Sequence, residues 1–371
     1  MKTVICGNSN SILLDGWLPA FKAASPTIET MNLSLGGSRS PAMLYQILNN
    51  TSQLEDVGSA IIEPTVLDCG ELAGTGDDVA GQAAALLTTI LSKSIAATVL
   101  ALPRFPRHVD EPSPGMLAWA SVAASLGVGV FDGSFVIKQL ATHLRKPNDQ
   151  FWRDAHGHHS PAAGRLIGII LADFHADRKN RTVLTANSSG KAPGANWRVL
   201  TGTELASANS LPSRQSSSAL MSVNCVVMRA GDALQCAISV DEKVLGIAIN
   251  YGEMEPRKDV IIEVLGSSGS RQMNVNHHLL PEPVTHKTAV LFRATNFPKG
   301  FGTVTLKSCP ENARFEPGQD QRMEIAGLLV GKEIKPIAGW ETSGRAALAE
   351  SQDFIISRIR HLLMTRPELF I

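Results

Sequence analysis

The sequence predicts two structural parts, an α/β domain and an antiparallel β-sandwich, and two patterns of hydrophobic residues support this prediction. In residues 1–182, short apolar runs alternate with helical stretches, as in a parallel sheet covered by helices on both faces. Beyond residue 194, apolar residues recur at every second position, as in strands with one buried face. The number and order of the first elements predict a flavodoxin-like three-layer α/β/α sandwich.

The α/β domain begins with a predicted strand at Thr3–Cys6, and four more apolar runs of strand length follow. Helices fill the segments between the strands. The last helix is predicted to begin after Ser160, a favourable N-cap, with Pro161 in its first turn, and to end near Asp177. The other predicted strands are Thr27–Leu33, Ser59–Glu63, Ala97–Leu102 and Val128–Phe131, and the other predicted helices are Pro41–Asn49, Asp77–Ser92, Pro114–Leu126 and Phe135–Leu144.

The second half of the chain is predicted to form a separate β domain. Residues 183–194 are small, polar and turn-forming, and we interpret them as a linker. The β-sandwich is predicted over residues 195–338, because turn residues separate its period-two runs. A C-terminal helix within residues 339–371 is expected to pack back on one of the domains through Leu348, Ile355, Ile359 and Leu362. The predicted sandwich strands are a run around Val223–Val227, then Ala233–Val240, Lys243–Asn250, Val260–Leu265, Thr288–Arg293, Gly302–Lys307 and Arg322–Val330.

Composition argues against several classes of function. The chain has 371 residues, with 34 Lys and Arg against 34 Asp and Glu, so no net field holds nucleic acid or an anionic membrane. The apolar run Leu166–Leu171 is far shorter than a membrane span, and Met1–Gly7 is too short for a signal peptide. Five scattered cysteines indicate buried thiols in a reducing compartment, and we expect a cytoplasmic protein.

The first candidate functional residue is Ser9, which follows the first predicted strand directly. The sequence Gly7-Asn8-Ser9-Asn10-Ser11 leads from that strand into a helix. A serine at such a turn presents its hydroxyl, and its backbone N–H lies at the positive end of the peptide dipoles, where an oxyanion is stabilised. The same residue types are also ordinary in turns and helix N-caps, so Ser9 is either a nucleophile or a simple cap.

A second cluster of candidates contains Asp154, His156, His158 and His159, just before the last helix of the domain. Loops that follow parallel strands gather at the carboxyl edge of the sheet, and Ser9 is expected at the same edge. A histidine there would take the Ser9 proton while an aspartate orients the ring, as acyl-transfer enzymes require. Two other interpretations stay open, namely a solvated loop and a metal site formed by Asp154, His156 and His158.

Two further acidic residues, Glu63 and Asp68, lie at or near the end of the third predicted strand. The carboxyl edge of the sheet is again their expected location. They either line the pocket or make a simple cap or turn.

With these motifs, residues 1–182 resemble the SGNH, or GDSL-type, hydrolase family. In that family a strand is followed by Gly-Asp-Ser, and Gly7-Asn8-Ser9 is similar to this motif, with Asn in place of Asp. The second motif, an Asn–Leu strand end followed by a glycine, is matched by Asn32–Gly37. The resemblance implies that the Gly37 N–H joins the Ser9 N–H in the oxyanion hole.

The third and the last family motifs are matched less closely. The third is a strand that ends in Asn-Asp, and Leu67 stands where the oxyanion asparagine belongs. The last is Asp-x-x-His before a helix, whereas no histidine stands three residues after Asp154. Counting back from the helix cap gives His158 as the base, which we favour, and counting back from Gly164 gives His159 as the alternative base.

The resemblance implies a serine-dependent ester hydrolase or O-acyltransferase that acts on O-acetyl groups of a carbohydrate through a triad of Ser9, His158 and Asp154. It implies no cofactor and no metal, and a transferase would need an acyl donor. Because an esterase and an O-acetyltransferase use the same triad, the acceptor stays open between water and a sugar hydroxyl. The alternatives are a non-catalytic glycan-binding protein with a degenerate pocket, and a metal-dependent hydrolase that uses Asp154, His156 and His158.

Overall fold

The computed structural model describes residues 2–36, 39–64, 68, 75–186, 196–217, 222–229, 231–239, 241–250, 260–266, 269–275, 290–294, 303–309 and 322–370. Contacts within the chain group the residues into two units. The first unit comprises Met1–Ala195 and Ile334–Ile371, and the second comprises Asn196–Glu333. The chain therefore leaves the first unit, forms the second, and returns to the first.

The sheet of the first unit contains the strands β1 (Lys2–Cys6), β2 (Glu29–Asn32), β3 (Val57–Ile62), β4 (Ala96–Ala101) and β5 (Gly129–Asp132). All neighbouring strands are parallel, and their order is β2-β1-β3-β4-β5. The inner strands are buried because their residues are apolar or small, and Ile5, Ile61 and Leu100 are fully buried. The strand order reverses at β1, and in such sheets ligands bind at the carboxyl ends of the strands beside this switch point. The predicted α/β architecture is confirmed.

The described part of the first unit places six α-helices before the second unit: α1 (Trp17–Ala24), α2 (Ser40–Asn49), α3 (Gly76–Ser92), α4 (Pro114–Ser125), α5 (Gly133–Leu144) and α6 (Pro161–Ala186). Side chains of Thr75, Ser113 and Asp132 accept hydrogen bonds from the first turns of α3, α4 and α5, which explains where these helices begin. α6 ends at Ala186 rather than near Asp177. Residues 183–186 of the predicted linker are therefore helical, because the helix continues through them, and residues 187–194 lie outside the described residues.

α6 is attached to the sheet through a buried histidine. His175 Nδ1 lies 2.9 Å from Thr98 Oγ1 and its Nε2 lies 3.1 Å from Ser59 Oγ, which in turn lies 2.8 Å from Thr3 Oγ1. This polar chain joins α6 to β1, β3 and β4. Because α6 begins directly after the histidine-rich segment, its attachment to the sheet fixes one end of that segment.

The second unit contains two antiparallel sheets. Its elements are β6 (Trp197–Thr201), α7 (Gly202–Asn209), β7 (Ser213–Ser217), β8 (Ser222–Arg229), β9 (Ala233–Ala237), β10 (Lys243–Asn250), β11 (Val260–Gly266), β12 (Gly269–Val275), β13 (Val290–Ala294), β14 (Thr303–Cys309) and β15 (Arg322–Gly331). One sheet has the order β13-β10-β15-β8-β7 with β6 beside β15, and the other has the order β12-β11-β14-β9. One apolar cluster includes Leu234 and Leu306 from the second sheet and Ile247 and Leu328 from the first, as expected for a sandwich.

The chain returns to the first unit and ends in two helices, α8 (Glu341–Ala349) and α9 (Gln352–Thr365). The expectation of one C-terminal helix is therefore corrected. Between them lies the buried Ser351, whose Oγ accepts a hydrogen bond from the Asp132 N–H at 3.1 Å and donates one to the Leu348 carbonyl at 3.2 Å. No helix in the described part of the chain is both long enough and apolar enough to cross a bilayer. The apolar face predicted for this segment is buried through Leu348, Ile355, Ile359 and Leu362.

Candidate active site

Ser9 lies in a tight turn at the carboxyl end of β1, next to the switch point of the sheet. Ser9–Ser11 form a single 3-10 turn, in which the Ser11 N–H donates to the Asn8 carbonyl at 3.1 Å. The Asn8 side chain accepts the Asn10 N–H at 3.1 Å, which caps the turn. A Cβ atom at Gly7 would lie 2.4 Å from Ser11 Oγ and 2.9 Å from Glu63 Cβ, so a larger residue before the turn would force these side chains to shift. The turn leaves the Ser9 side chain partly exposed.

The structure brings Ser9, His158 and Asp154 into one hydrogen-bonded chain. Ser9 Oγ lies 2.8 Å from His158 Nε2, and His158 Nδ1 lies 2.7 Å from Asp154 Oδ2. An ionised carboxylate only accepts hydrogen bonds, so we assign the ring proton to Nδ1, which leaves Nε2 free to accept the Ser9 hydroxyl proton. This arrangement has the geometry that a serine nucleophile and its general base require.

Asp154 is held by the backbone of the same loop. Its Oδ1 accepts the His156 N–H at 2.9 Å and the His158 N–H at 3.4 Å. Burial alone would raise the pKa of Asp154, but the hydrogen bonds and charge of His158, with the His156 N–H, hold it below its usual value. The carboxylate is therefore ionised at neutral pH, as a residue that orients an imidazolium must be.

His159, the alternative base, points away from Ser9. Its Nε2 lies 3.0 Å from the Pro103 carbonyl oxygen, and its ring contacts Trp152 edge to face with centroids 5.3 Å apart. Burial lowers the pKa of His159 to about 4, although the bond to Pro103 opposes the shift. His159 is therefore a neutral, buried histidine that holds its loop against the β4–α4 connection, and it makes no contact with the serine.

The geometry also argues against the metal interpretation of this cluster. Both ring nitrogens of His158 are engaged, one with Ser9 and one with Asp154. The exposed His156 ring lies 6.4 Å from the His158 ring, measured between centroids. Among the residues that the structure describes, no group of three or more His, Cys, Asp or Glu side chains is arranged to hold a metal ion.

The predicted oxyanion hole involves residues outside the described part of the chain. Gly37 lies there, so the second donor stays a prediction. Leu67, which stands where the family has its third donor, lies there too, and a third donor is either missing or supplied from elsewhere. Asn32, from the second motif, does have a position: its Nδ2 donates to the Ser11 carbonyl at 2.8 Å and its Oδ1 accepts the Ser34 N–H at 3.0 Å. Asn32 thereby joins the end of β2 to the turn that carries Ser9.

The two acidic residues near the end of β3 are buried hydrogen-bond partners rather than exposed pocket residues. Glu63 is fully buried beneath the turn that carries Ser9. There it accepts hydrogen bonds from the Ser11 hydroxyl and from the Trp17 indole N–H, the latter at 3.5 Å. Burial raises the pKa of Glu63 to about 7, against the effect of these hydrogen bonds. Asp68 accepts hydrogen bonds from Ser40 at the start of α2 and from the Trp119 indole N–H, the latter at 3.2 Å.

Asn10 is a further residue of the site that the sequence did not single out. Its buried side chain contacts the histidine loop, because Nδ2 donates to the Gly157 carbonyl at 3.3 Å and Oδ1 accepts the His159 N–H at 3.4 Å. The only available signal was its polarity beside a candidate nucleophile, a position where turn residues are common anyway.

Comparison with known proteins finds similar structures but no match by sequence. The sequence matches no family model, and no curated protein matches it. A two-domain esterase active on acetylated mannans is similar over 91% of this chain and 92% of that chain, with 11% identity and a TM-score of 0.55. A carbohydrate acetylesterase from Sinorhizobium meliloti covers 48% of this chain and 99% of its own, with 14% identity and a TM-score of 0.37. A lipase/acylhydrolase from Enterococcus faecalis covers 49% of this chain and 97% of its own, with 15% identity and a TM-score of 0.38.

The likeness to the two-domain esterase shows the fold of the chain. It is a two-part fold in which an α/β domain is followed by a β domain, as the sequence predicted.

Proposed function

We propose that this protein is a serine esterase that removes acetyl groups from an acetylated carbohydrate. The observation that carries the proposal is the continuous hydrogen-bonded chain from Ser9 Oγ through His158 to Asp154, with separations of 2.8 and 2.7 Å. A base within hydrogen-bond reach of Ser9 argues against the non-catalytic glycan-binding alternative, which predicts none. The two-domain neighbour, described as active on acetylated mannans, supports the choice of substrate class.

In the proposed mechanism Ser9 Oγ attacks the acetyl carbonyl carbon while His158 Nε2 takes the hydroxyl proton. The tetrahedral oxyanion is stabilised by the Ser9 N–H and, as proposed from the family resemblance, by the Gly37 N–H. Collapse of this intermediate expels the sugar oxygen, which takes the proton from His158. Water, activated by the same imidazole, then cleaves the acetyl-enzyme, releases acetate and restores Ser9. Asp154 stabilises the imidazolium throughout.

We propose water as the acceptor, with an O-acetyltransferase as the alternative. The two activities differ in one observable: an esterase releases acetate from acetylated mannan without any added acceptor, whereas a transferase needs one. We also propose a reducing compartment, the cytoplasm, because the described cysteines Cys6, Cys225 and Cys236 are buried free thiols. Burial raises the pKa of each of these thiols to about 12, which keeps them unreactive.

The proposal is tested by fluorophosphonate labelling, followed by intact mass measurement and peptide mapping. We expect a single adduct on Ser9 in the wild type, none in Ser9→Ala, and strongly slowed labelling in His158→Ala. His159→Gln is the matched histidine control, and it should still be labelled. Acetate release from acetylated mannan is measured in parallel, with and without chelator. Absence of any adduct on Ser9, or an activity that survives Ser9→Ala and is lost with chelator, would refute the serine mechanism.

A further inference from the structure

Asn10 connects two segments, the nucleophile turn (residues 7–11) and the histidine loop (residues 154–159), which carries the candidate base His158. Its side chain is 3% exposed and makes two hydrogen bonds to that loop, Nδ2 to the Gly157 carbonyl and Oδ1 to the His159 N–H. The two bonded groups belong to the residues immediately before and after His158. The Asn10 amide is therefore hydrogen-bonded to the backbone on both sides of His158, whose ring contacts Ser9.

Local backbone structure fixes both the Asn10 residue and the Gly157 carbonyl to which its amide donates. Gly157 has a φ of +95°, a conformation that residues with a side chain rarely adopt, and its carbonyl accepts the Asn10 Nδ2–H in that conformation. On the other side, the Asn10 N–H is bonded to the Asn8 side chain at 3.1 Å, which fixes the residue from which the amide projects. Donor and acceptor are therefore both held in place by their own local structure.

The histidine loop has other attachments as well. The Arg153 N–H donates to the His158 carbonyl at 2.8 Å and closes the loop on itself, and His159 bonds the Pro103 carbonyl. The Arg153 side chain lies 2.8 Å from Asp15, which follows the nucleophile turn. Within the described residues, the direct hydrogen bonds between residues 7–11 and residues 154–159 are the two from Asn10 and the one from Ser9 to His158. The Asn10 amide therefore supplies two of the three direct hydrogen bonds between the two segments, and it holds the backbone on both sides of His158.

We propose that Asn10 is a positioning residue for the reaction of Ser9, acting by holding the His158 backbone at the distance from which its Nε2 reaches Ser9 Oγ. This inference rests on the proposed esterase function. It assigns to the residue after the nucleophile a role distinct from attack, proton transfer and oxyanion stabilisation. A misplacement of the base by about 1 Å is enough to cost about 100-fold in rate.

The test compares Asn10→Leu with Asn32→Leu. Leucine has nearly the shape of asparagine but no polar atoms, and Asn32 holds the same turn through the Ser11 carbonyl without touching the histidine loop. In Asn10→Leu we expect kcat on an acetyl ester to fall at least about tenfold while KM changes little, since ground-state binding is not affected. Fluorophosphonate labelling of Ser9 should slow by a similar factor.

A spectroscopic readout separates positioning from a general loss of structure. The ¹⁵N chemical shift of His158 Nε2 depends on whether this nitrogen accepts the Ser9 hydroxyl proton, and it is measured without turnover. It should change in Asn10→Leu and persist unchanged in Asn32→Leu. Retention of both the kcat and the Nε2 resonance in a folded Asn10→Leu protein would overturn the inference. So would loss of kcat with the Nε2 resonance unchanged, because the contact between Ser9 and His158 would then be intact.

Asn10→Asp keeps the test decisive if the leucine variant does not fold. Its carboxyl group retains an oxygen to accept the His159 N–H but loses the donor to Gly157 and lies beside Glu63, so kcat should fall by about 10- to 100-fold. A folded Asn10→Asp with wild-type kcat and labelling rate would contradict the inference. If the wild type itself is neither labelled at Ser9 nor active, the proposed function fails, whereas the NMR comparison still reports whether Asn10 positions His158.

Discussion

Replacing Glu63 by Gln should raise the stability of the first unit at alkaline pH relative to the wild type and leave it nearly unchanged at acid pH. Glu63 is fully buried, and burial raises its pKa from an ordinary 4.5 to about 7. Between these two pH values the folded protein keeps the proton that the unfolded chain has already lost. Wild-type stability therefore falls as pH rises through this window and stays lower above it. Glutamine has the same shape and does not titrate.

The expected size follows from the two pKa values. One pKa unit corresponds to about 1.4 kcal/mol, so ionising Glu63 costs the folded state about 3 kcal/mol in all. Between about pH 5 and about pH 8, the stability of Glu63→Gln should therefore gain about 2 to 3 kcal/mol on that of the wild type. Taking the difference between the two proteins at each pH removes the contributions of the groups that titrate in both.

Urea unfolding followed by tryptophan fluorescence is the appropriate assay. Of the five tryptophans, only Trp197 belongs to the second unit, so the signal reports mainly on the unit that contains Glu63. The free energy of unfolding is compared at several pH values for the two proteins. Two curves that run parallel from about pH 5 to about pH 8 would refute the argument, because Glu63 would then ionise as readily in the folded protein as in the unfolded one.

Three further predictions follow from the same contacts. The pKa of His159 is lowered from 6.5 to about 4, so the wild type loses about 3 kcal/mol of stability as pH falls through that window. His159→Gln should remove this loss in urea unfolding. An unchanged dependence of the unfolding free energy on pH below about pH 6.5 would contradict the prediction. Asp154→Asn should lower kcat about 10⁴-fold in ester hydrolysis with little change in unfolding free energy, since it disturbs only the orientation and charge of the base. Gly7→Ala should reduce the yield of folded protein and its labelling at Ser9, because the added Cβ would meet Ser11 Oγ at 2.4 Å and Glu63 Oε2 at 2.8 Å; near-normal labelling would show that the turn relaxes easily.

The elements that the sequence predicted well are those whose signal is local. The strands β1, β3 and β4 are buried apolar runs, so they could be recognised from their own residues without knowing which elements pack on them. By contrast β7, Ser213–Ser217, is a polar strand that, among the described strands, pairs with β8 at the edge of its sheet. Burial therefore imposes no hydrophobic alternation on it, and it was not predicted. The helical residues 183–186 were also not predicted, because small polar residues are as typical of linkers as of a helix end.

The candidate site was predicted from the sequence to the extent that chain order dictates it. Ser9 and the histidine cluster each follow a strand or precede a helix, and sheet topology brings such loops to one edge. The choice between His158 and His159 was not decidable that way, because adjacent residues on a loop differ only in which way they point. The roles of Asn10 and Glu63 depend on partners far away in the sequence, so no local pattern could reveal them.

The second unit is an insertion whose two ends meet. The Lys332 N–H donates to the Asn196 carbonyl at 3.1 Å, and Trp197 pairs with Gly331 across β6 and β15. The described chain thus enters and leaves the second unit through adjacent backbone positions. During synthesis the first unit lacks α8 and α9 until the whole β domain has been made, so its buried face toward Ser351 is completed last.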